Sequence, residues 1–291
     1  MGSAKAIRAF HRDATIVLLT ARPYADFLRQ APYFDAVWID ERPGWGNPTG
    51  ILRLARRLRA GRFDRVYDLQ TRLRSSLYFW LTRRPNGPEG SGIAWGASHR
   101  QPDTPERRRM HTIDREADQL RWAGIPGPIP PPDLSWATAD VARFQLPADY
   151  LLLVPGGAPH RPEKRWPLDR FVELARRITA AGPTPVVIGG PAERDLGRMI
   201  AAAAPGARDL TGATDFADIA VLGGGARRAI GNDTGPMHLA VAGGAPATVL
   251  YSAASDPALT APRGADVVIL RKDDIADLSV AEVATTLGLD A

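Results

Sequence analysis

The 291-residue sequence contains no cysteine, which excludes structural disulfides, zinc-thiolate centres and cysteine nucleophiles together. It also has no run of about 18 apolar residues, the length a membrane-crossing helix needs. The opening stretch from Met1 to Thr20 lacks the continuous apolar core of a secretory signal. No internal repeat is visible. These absences fit a soluble protein in a reducing cytoplasmic setting. With 44% hydrophobic residues, the chain is too apolar to be disordered and long enough for two α/β domains.

Acidic residues are scarce in one half only. Residues 1–135 carry 22 Lys and Arg against 14 Asp and Glu, whereas the remainder carries 15 against 18. A basic first half suggests an anionic partner: nucleic acid, membrane phospholipid or a phosphorylated substrate. It fits a solvated arginine-rich surface equally well.

Apolar clusters alternate with amphipathic stretches along the whole chain, the pattern of strands and helices taking turns in parallel sheets. Strands are expected at 15–20, 36–39, 65–69, 150–154 and 185–188, and helices at 24–30, 51–60 and 168–180. Pro126 to Pro132 holds five prolines in seven residues, which forbids a helix or central strand and marks a linker. It separates a first domain, 1–130, from a second, 131–291. Ser279 and Glu282 match a capping box ahead of a closing helix.

Three turns in the second half carry chemistry. In Ala229 to Ala242, Asp233, Thr234 and Gly235 lie between a short apolar strand and an apolar helical run. The amides of Thr234 to Met237 then form a helix start suited to a phosphate, with His238 in the first turn. An ordinary capped helix with His238 in the core fits the same residues. In Val154 to Pro167, Gly156 and Gly157 let backbone approach an anion, and Lys164 supplies a mobile charge beside His160, Arg161 and Arg165. A basic surface loop reads the same way. In Gly189 to Asp195, Glu193 suits ribose hydroxyls, or charge compensation at a helix start.

Taken in order, these segments resemble glycosyltransferase family 9, the ADP-heptose:lipopolysaccharide heptosyltransferases. The resemblance rests on Lys164 ahead of Trp166 and Pro167, on Glu193 after a strand-Gly turn, on Leu210-Thr211-Gly212, and on Asn232 to His238. It covers nearly all of residues 7–285 and is softer in the first half, where Tyr67-Asp68-Leu69-Gln70 is followed by Arg72 and Arg74.

The resemblance implies a GT-B fold: two Rossmann-like domains facing across a cleft, acceptor on the first and donor on the second. It implies metal-independent, inverting transfer from a nucleotide sugar, ADP-heptose, to a phosphorylated glycolipid acceptor, with no cofactor. Donor contacts then fall to Gly156, Gly157, Lys164, Glu193, Asp233, Thr234, Gly235, Met237 and His238, and acceptor contacts to Asp68, Gln70, Arg72 and Arg74. No Asp-x-Asp metal signature is present.

The chain departs from the family at its start, where the first apolar strand and its Gly-Asp turn are absent. The general-base Asp is therefore expected upstream of Met1, with Asp68 as the fallback within this chain. Alternatives are a sugar-nucleotide epimerase of the same fold and a nucleotide-sugar binding protein without turnover. Nucleic acid has little support, because the arginines are not interleaved with an aromatic stacking stripe. The basic half fits peripheral contact with an anionic membrane from the cytoplasmic side.

Overall fold

In the computed structural model, which describes residues 1–83 and 87–289, the chain divides into two compact units. One comprises Gly2–Arg29 with Tyr33–Pro130, and the other Pro131–Ala291 with Met1 and Gln30–Pro32.

The first unit runs α1 (Gly2–Phe10), β1 (Val17–Ala21), α2 (Arg22–Leu28), β2 (Ala36–Asp40), α3 (Pro48–Ala60), β3 (Arg65–Tyr67), α4 (Leu73–Thr82), β4 (Glu89–Gly92), β5 (His99–Arg100), α5 (Pro105–Arg109) and α6 (Thr112–Trp122). Its strands form two separate parallel sheets, β1-β2 and β3-β4-β5. Every residue of β1 and β2 is half-buried. Ile7 of α1 and Leu120 of α6 close a small core with Ile125, against which Ile16, Tyr67 and Leu69 pack. α3 starts where Asn47 accepts a hydrogen bond from the Gly50 amide at 2.9 Å, with Pro48 in its first turn.

The second unit runs β6 (Tyr150–Val154), α7 (Leu168–Ala180), β7 (Thr184–Val187), α8 (Arg194–Ala203), β8 (Arg208–Asp209), α9 (Phe216–Gly225), β9 (Arg228–Asn232), α10 (Gly235–Ala242), β10 (Ala247–Tyr251), α11 (Pro257–Thr260), β11 (Val267–Arg271) and α12 (Val280–Thr285). The six strands form one all-parallel sheet ordered β11-β10-β9-β6-β7-β8. Counted within the unit this is the doubly wound order 3-2-1-4-5-6, whose direction reverses between β6 and β9.

β6 and β10 are buried at every residue, as strands covered on both faces must be. α7 buries Phe171, Leu174, Ala175 and Ile178, the i, i+3, i+4, i+7 stripe of an amphipathic helix. Each of the larger three is worth roughly 1.5 to 3 kcal/mol of burial. The Ser279 and Glu282 capping box forms at the start of α12, where each side chain accepts from the other's backbone amide.

α9 and α10 meet backbone to backbone. A Cβ on Gly223 would lie 2.6 Å from the Ala240 carbonyl oxygen, and one on Gly243 would lie 2.1 Å from that of Ala220. Only glycine permits this approach.

No helix among the described residues is long and apolar enough to cross a membrane.

Candidate functional site: the β6 and β9 strand ends

In doubly wound sheets ligands bind outside the carboxyl ends of the strands, at the reversal point. Here that point is the end of β6, continuing into Gly156 and Gly157, beside the end of β9, continuing into Asp233. Asn232, fully buried, ties the two together. Its Nδ2 donates to the carbonyls of Pro155 at 2.9 Å and Gly156 at 3.0 Å, and its Oδ1 accepts from the Trp166 amide at 3.0 Å. Trp166 Nε1 in turn donates to the Leu278 carbonyl at 2.8 Å. The loop carrying Lys164 is thus anchored at both ends.

Asp233 is the electrostatic centre. Lys164 Nζ donates to its Oδ2 at 2.8 Å, Tyr251 Oη donates to its Oδ1 at 3.1 Å, and His238 Nε2 lies 3.8 Å from Oδ1. Burial pushes the Asp233 carboxyl up, but the His238 and Lys164 contacts outweigh it and hold the group well below the usual carboxylate range. Burial and the Asp233 charge push the Tyr251 phenol above its ordinary value.

Above this pair opens a cleft of about 420 Å³ bordered by Lys164, Asp233, Thr234, Gly235, His238 and Arg161, with residues 254–260 as the far wall. The first intrahelical bond of α10 runs from the His238 amide to the Thr234 carbonyl at 3.3 Å. The exposed Gly235 amide precedes it at the cleft, Pro236 has none, and Met237 is fully buried behind them. Thr234 Oγ1 is buried and has no hydrogen-bond partner. Such a group is costly unless something fills the site.

The expected residues separate into groups. Lys164, Asp233, Thr234, Gly235 and His238 converge on the cleft. Met237 does not reach the cleft: the residue is fully buried and its side chain lies in the core. Gly156 and Gly157 stand one shell back, held by Asn232 and by Arg165, which donates to the Gly157 carbonyl. Glu193 packs beside Gly156 and Gly189 and accepts from the Gly190 amide at 2.8 Å, so one of its oxygens is engaged in its own turn. Gly212 has a left-handed φ of 70° and its amide donates to the Gly189 carbonyl at 2.8 Å, fixing that turn from the neighbouring strand. Tyr251 and the 254–260 wall were missing from the sequence reading. Their one sequence signal is the run Ser252, Ser255, Asp256 following the apolar strand β10. No group of three or more His, Asp or Glu that could hold a metal ion occurs among the described residues.

In the first unit Asp68 follows β3 and is buried. Its Oδ1 accepts from the Thr71 amide at 2.9 Å, whereas Oδ2 has no partner. Burial pushes the Asp68 carboxyl up, and Ser75, the Thr71 amide and the nearby Arg107 charge pull it partway back. Arg107, also buried, is held by Gln101 at 2.6 Å and leaves Nη2 unpartnered. Gln70 and Arg72 are exposed. Arg74 turns to the Pro43 carbonyl at 3.1 Å and the Trp45 ring at 5.4 Å.

The sequence model of the family described as glycosyltransferase family 9 (heptosyltransferase) matches residues 51–284. The chain is 26% identical over 237 residues to lipopolysaccharide heptosyltransferase 2 of Salmonella typhimurium, covering 75% of this chain and 68% of that one. It is 22% identical to lipopolysaccharide core heptosyltransferase OpsX of Haemophilus influenzae, covering 88% and 75%. Among solved structures, E. coli ADP-heptose lps heptosyltransferase II superposes with a TM-score of 0.82 at 21% identity, over 99% of this chain and 92% of that one. At that identity the match establishes the GT-B fold.

Proposed function

The chain belongs to glycosyltransferase family 9 and is a glycosyltransferase, and on that footing we propose that it transfers a heptose from an ADP-activated donor to a phosphorylated lipopolysaccharide-core acceptor, with inversion and without a metal. The observation that carries the donor half is the open start of α10, where the Gly235 amide, the unpartnered Thr234 hydroxyl and the Lys164 ammonium converge. These are the groups a departing diphosphate needs. Charge growing on the leaving oxygen is met by the helix start and Lys164, both fixed before the ligand arrives. Residues 254–260 border this point and suit the ribose or base, and Glu193, beside Gly156, is the further candidate for the ribose hydroxyls.

On the acceptor side the reading places the general base upstream of Met1, with Asp68 as the fallback within this chain. What supports the fallback is that Asp68 Oδ2 is unpartnered and burial pushes its carboxyl up, which favours proton uptake once a hydroxyl reaches it. Asp68→Asn is expected to lower kcat about a hundredfold, the usual scale for a positioned base, and to leave ADP affinity unchanged. Turnover within a few-fold of wild type would move the base elsewhere.

The donor site is tested by calorimetry. ADP binding to Lys164→Ala should weaken by about 1 to 3 kcal/mol, the scale of a lost charge-assisted hydrogen bond. Equal affinity would remove Lys164 from the site. Transfer should continue in excess EDTA, and the anomeric configuration of the product should be opposite to that of the donor. ADP-heptose consumption that requires a divalent cation would overturn the metal-free part. Conversion of a UDP-sugar without acceptor would favour an epimerase.

A further inference from the structure

The positive charge of the first unit is concentrated in one segment: residues 42–83 contain ten arginines and two aspartates, and Asp68 is buried. α3 turns its apolar side, Leu54, Ala55 and Leu58, inward. Arg53, Arg56, Arg57 and Arg59 are exposed on its outer side. Arg53 and Arg56 make no ion pair among the described residues. α4 packs against α3 and buries Ser76, Phe79 and Thr82.

The outer side of α4 is apolar where a solvated helix would be polar. Leu73, Leu77 and Trp80 share one face at i, i+4 and i+7, and Leu73 is 71% exposed. Trp80 Nε1 donates to the Trp95 carbonyl at 3.0 Å, which sets a second indole, 72% exposed, beside the first. Toward the start of α4 stands Trp45, 61% exposed, with the Arg74 guanidinium over its ring.

We propose that this α3-α4 surface docks on an anionic lipid bilayer, with Leu73 and the three indoles in the interfacial layer and the α3 arginines on lipid phosphates. Exposed indoles beside leucine and arginine are the composition that settles at a membrane-water interface, and each arginine near an anionic surface adds attraction. Charge decides against a second copy of the chain, because a two-fold contact would set the exposed arginines of α3, among them Arg53 and Arg56, against their own copies. The exposed Leu73 beside the indoles favours a bilayer over single-stranded nucleic acid, which has no use for an aliphatic side chain among stacking rings, and Arg74 stands over one face of Trp45. The proposal rests on the reading above that the acceptor is a membrane-held glycolipid.

The test is co-sedimentation of the full chain with vesicles of phosphatidylethanolamine and phosphatidylglycerol, against vesicles of phosphatidylcholine. Binding to the anionic vesicles alone is expected, falling steeply between about 50 and 200 mM salt as the charges are screened. Tryptophan emission should shift to the blue and be quenched by brominated lipid. Arg53→Glu/Arg56→Glu and, separately, Leu73→Glu/Trp95→Glu should each weaken binding by about tenfold or more, while ADP affinity and transfer to a delipidated acceptor stay at wild-type levels. Several results would overturn the surface: no binding at low salt, equal binding to both vesicles, unaffected variants, or an oligonucleotide that displaces the vesicles. A dimer dispersed by the same variants in the absence of lipid would also overturn it and assign the face to a second copy. Failure of the wild type to transfer to the delipidated acceptor would count against the function itself, independently of the vesicles.

Discussion

Asp233→Ala is expected to lower kcat by about a thousandfold, the upper range for removing preorganised stabilisation of a developing oxyanion. The effect is indirect and for that reason large. One carboxylate orients Lys164 at 2.8 Å and Tyr251 at 3.1 Å, and stands 3.8 Å from His238. Without it the ammonium is free to leave the mouth of α10, and the buried phenol loses its acceptor. Removing one partner of this part-buried pair also costs stability, so Asp233→Asn serves as the second variant. The amide keeps the shape and an acceptor for Tyr251 but not the charge that holds Lys164. Steady-state kinetics of the folded Asn variant should show a drop of more than tenfold in kcat. A value close to wild type would mean that Lys164 is held by something else.

Asn232→Leu is expected to be the most destabilising single change in the site. The leucine fills nearly the same volume, so the loss is almost purely polar. The carbonyls of Pro155 and Gly156 and the amide of Trp166 all lose a buried partner. At roughly 1 to 3 kcal/mol for each group left unsatisfied, a loss of about 4 kcal/mol is a moderate expectation. Urea unfolding followed by tryptophan fluorescence should show the midpoint fall for the transition that reports on Trp166, with the other transition unmoved. Asn232→Asp separates the hydrogen bonds from the packing: it retains the acceptor for Trp166 and should lie between the two. A midpoint unchanged in the leucine variant would mean that the loop after β6 is anchored elsewhere.

The elements legible in the sequence were those whose pattern and packing agree. The β6 run, 150–154, and the α7 run, 168–180, were read to the residue, because one is apolar throughout and bounded by turns while the other repeats on a helical face. β4 and β5 were not legible. Their residues, Glu-Gly-Ser-Gly and His-Arg, have little strand propensity, and only the pairing of β4 with β3 and of β5 with β4 makes them strands. α3 begins three residues earlier than its periodicity, because the Asn47 cap and Pro48 extend it.

The site shows the same division. Lys164 and Asp233 are 69 residues apart, and the sequence offered them as separate strand-end features. Their ion pair depends on the loop anchor at Asn232. Tyr251 was missed because its reach to Asp233 depends on sheet register, with Leu250 of β10 opposite Asn232 of β9. Met237 was read as a site residue because its position in the motif is informative about the backbone and silent about the side chain. Arg107 was missed because its partners, Gln101 and Asp103, belong to a local fold with no periodic signature.

The glycine contacts between α9 and α10 bear on how this enzyme can change its donor. With Gly223 against Ala240 and Gly243 against Ala220, the C-terminal half of α10 lies backbone to backbone against α9 with no room for a side chain between them. On the proposed reading, in which the start of α10 receives the diphosphate, a side chain added at either crossing would disturb every donor alike. The 254–260 wall is under no such constraint: it is largely exposed loop and short helix, joined to the Lys164 loop by the bond from Arg161 to the Ala254 carbonyl. Selection or engineering for a different base or sugar should accumulate its substitutions in that wall and leave the glycine crossings untouched.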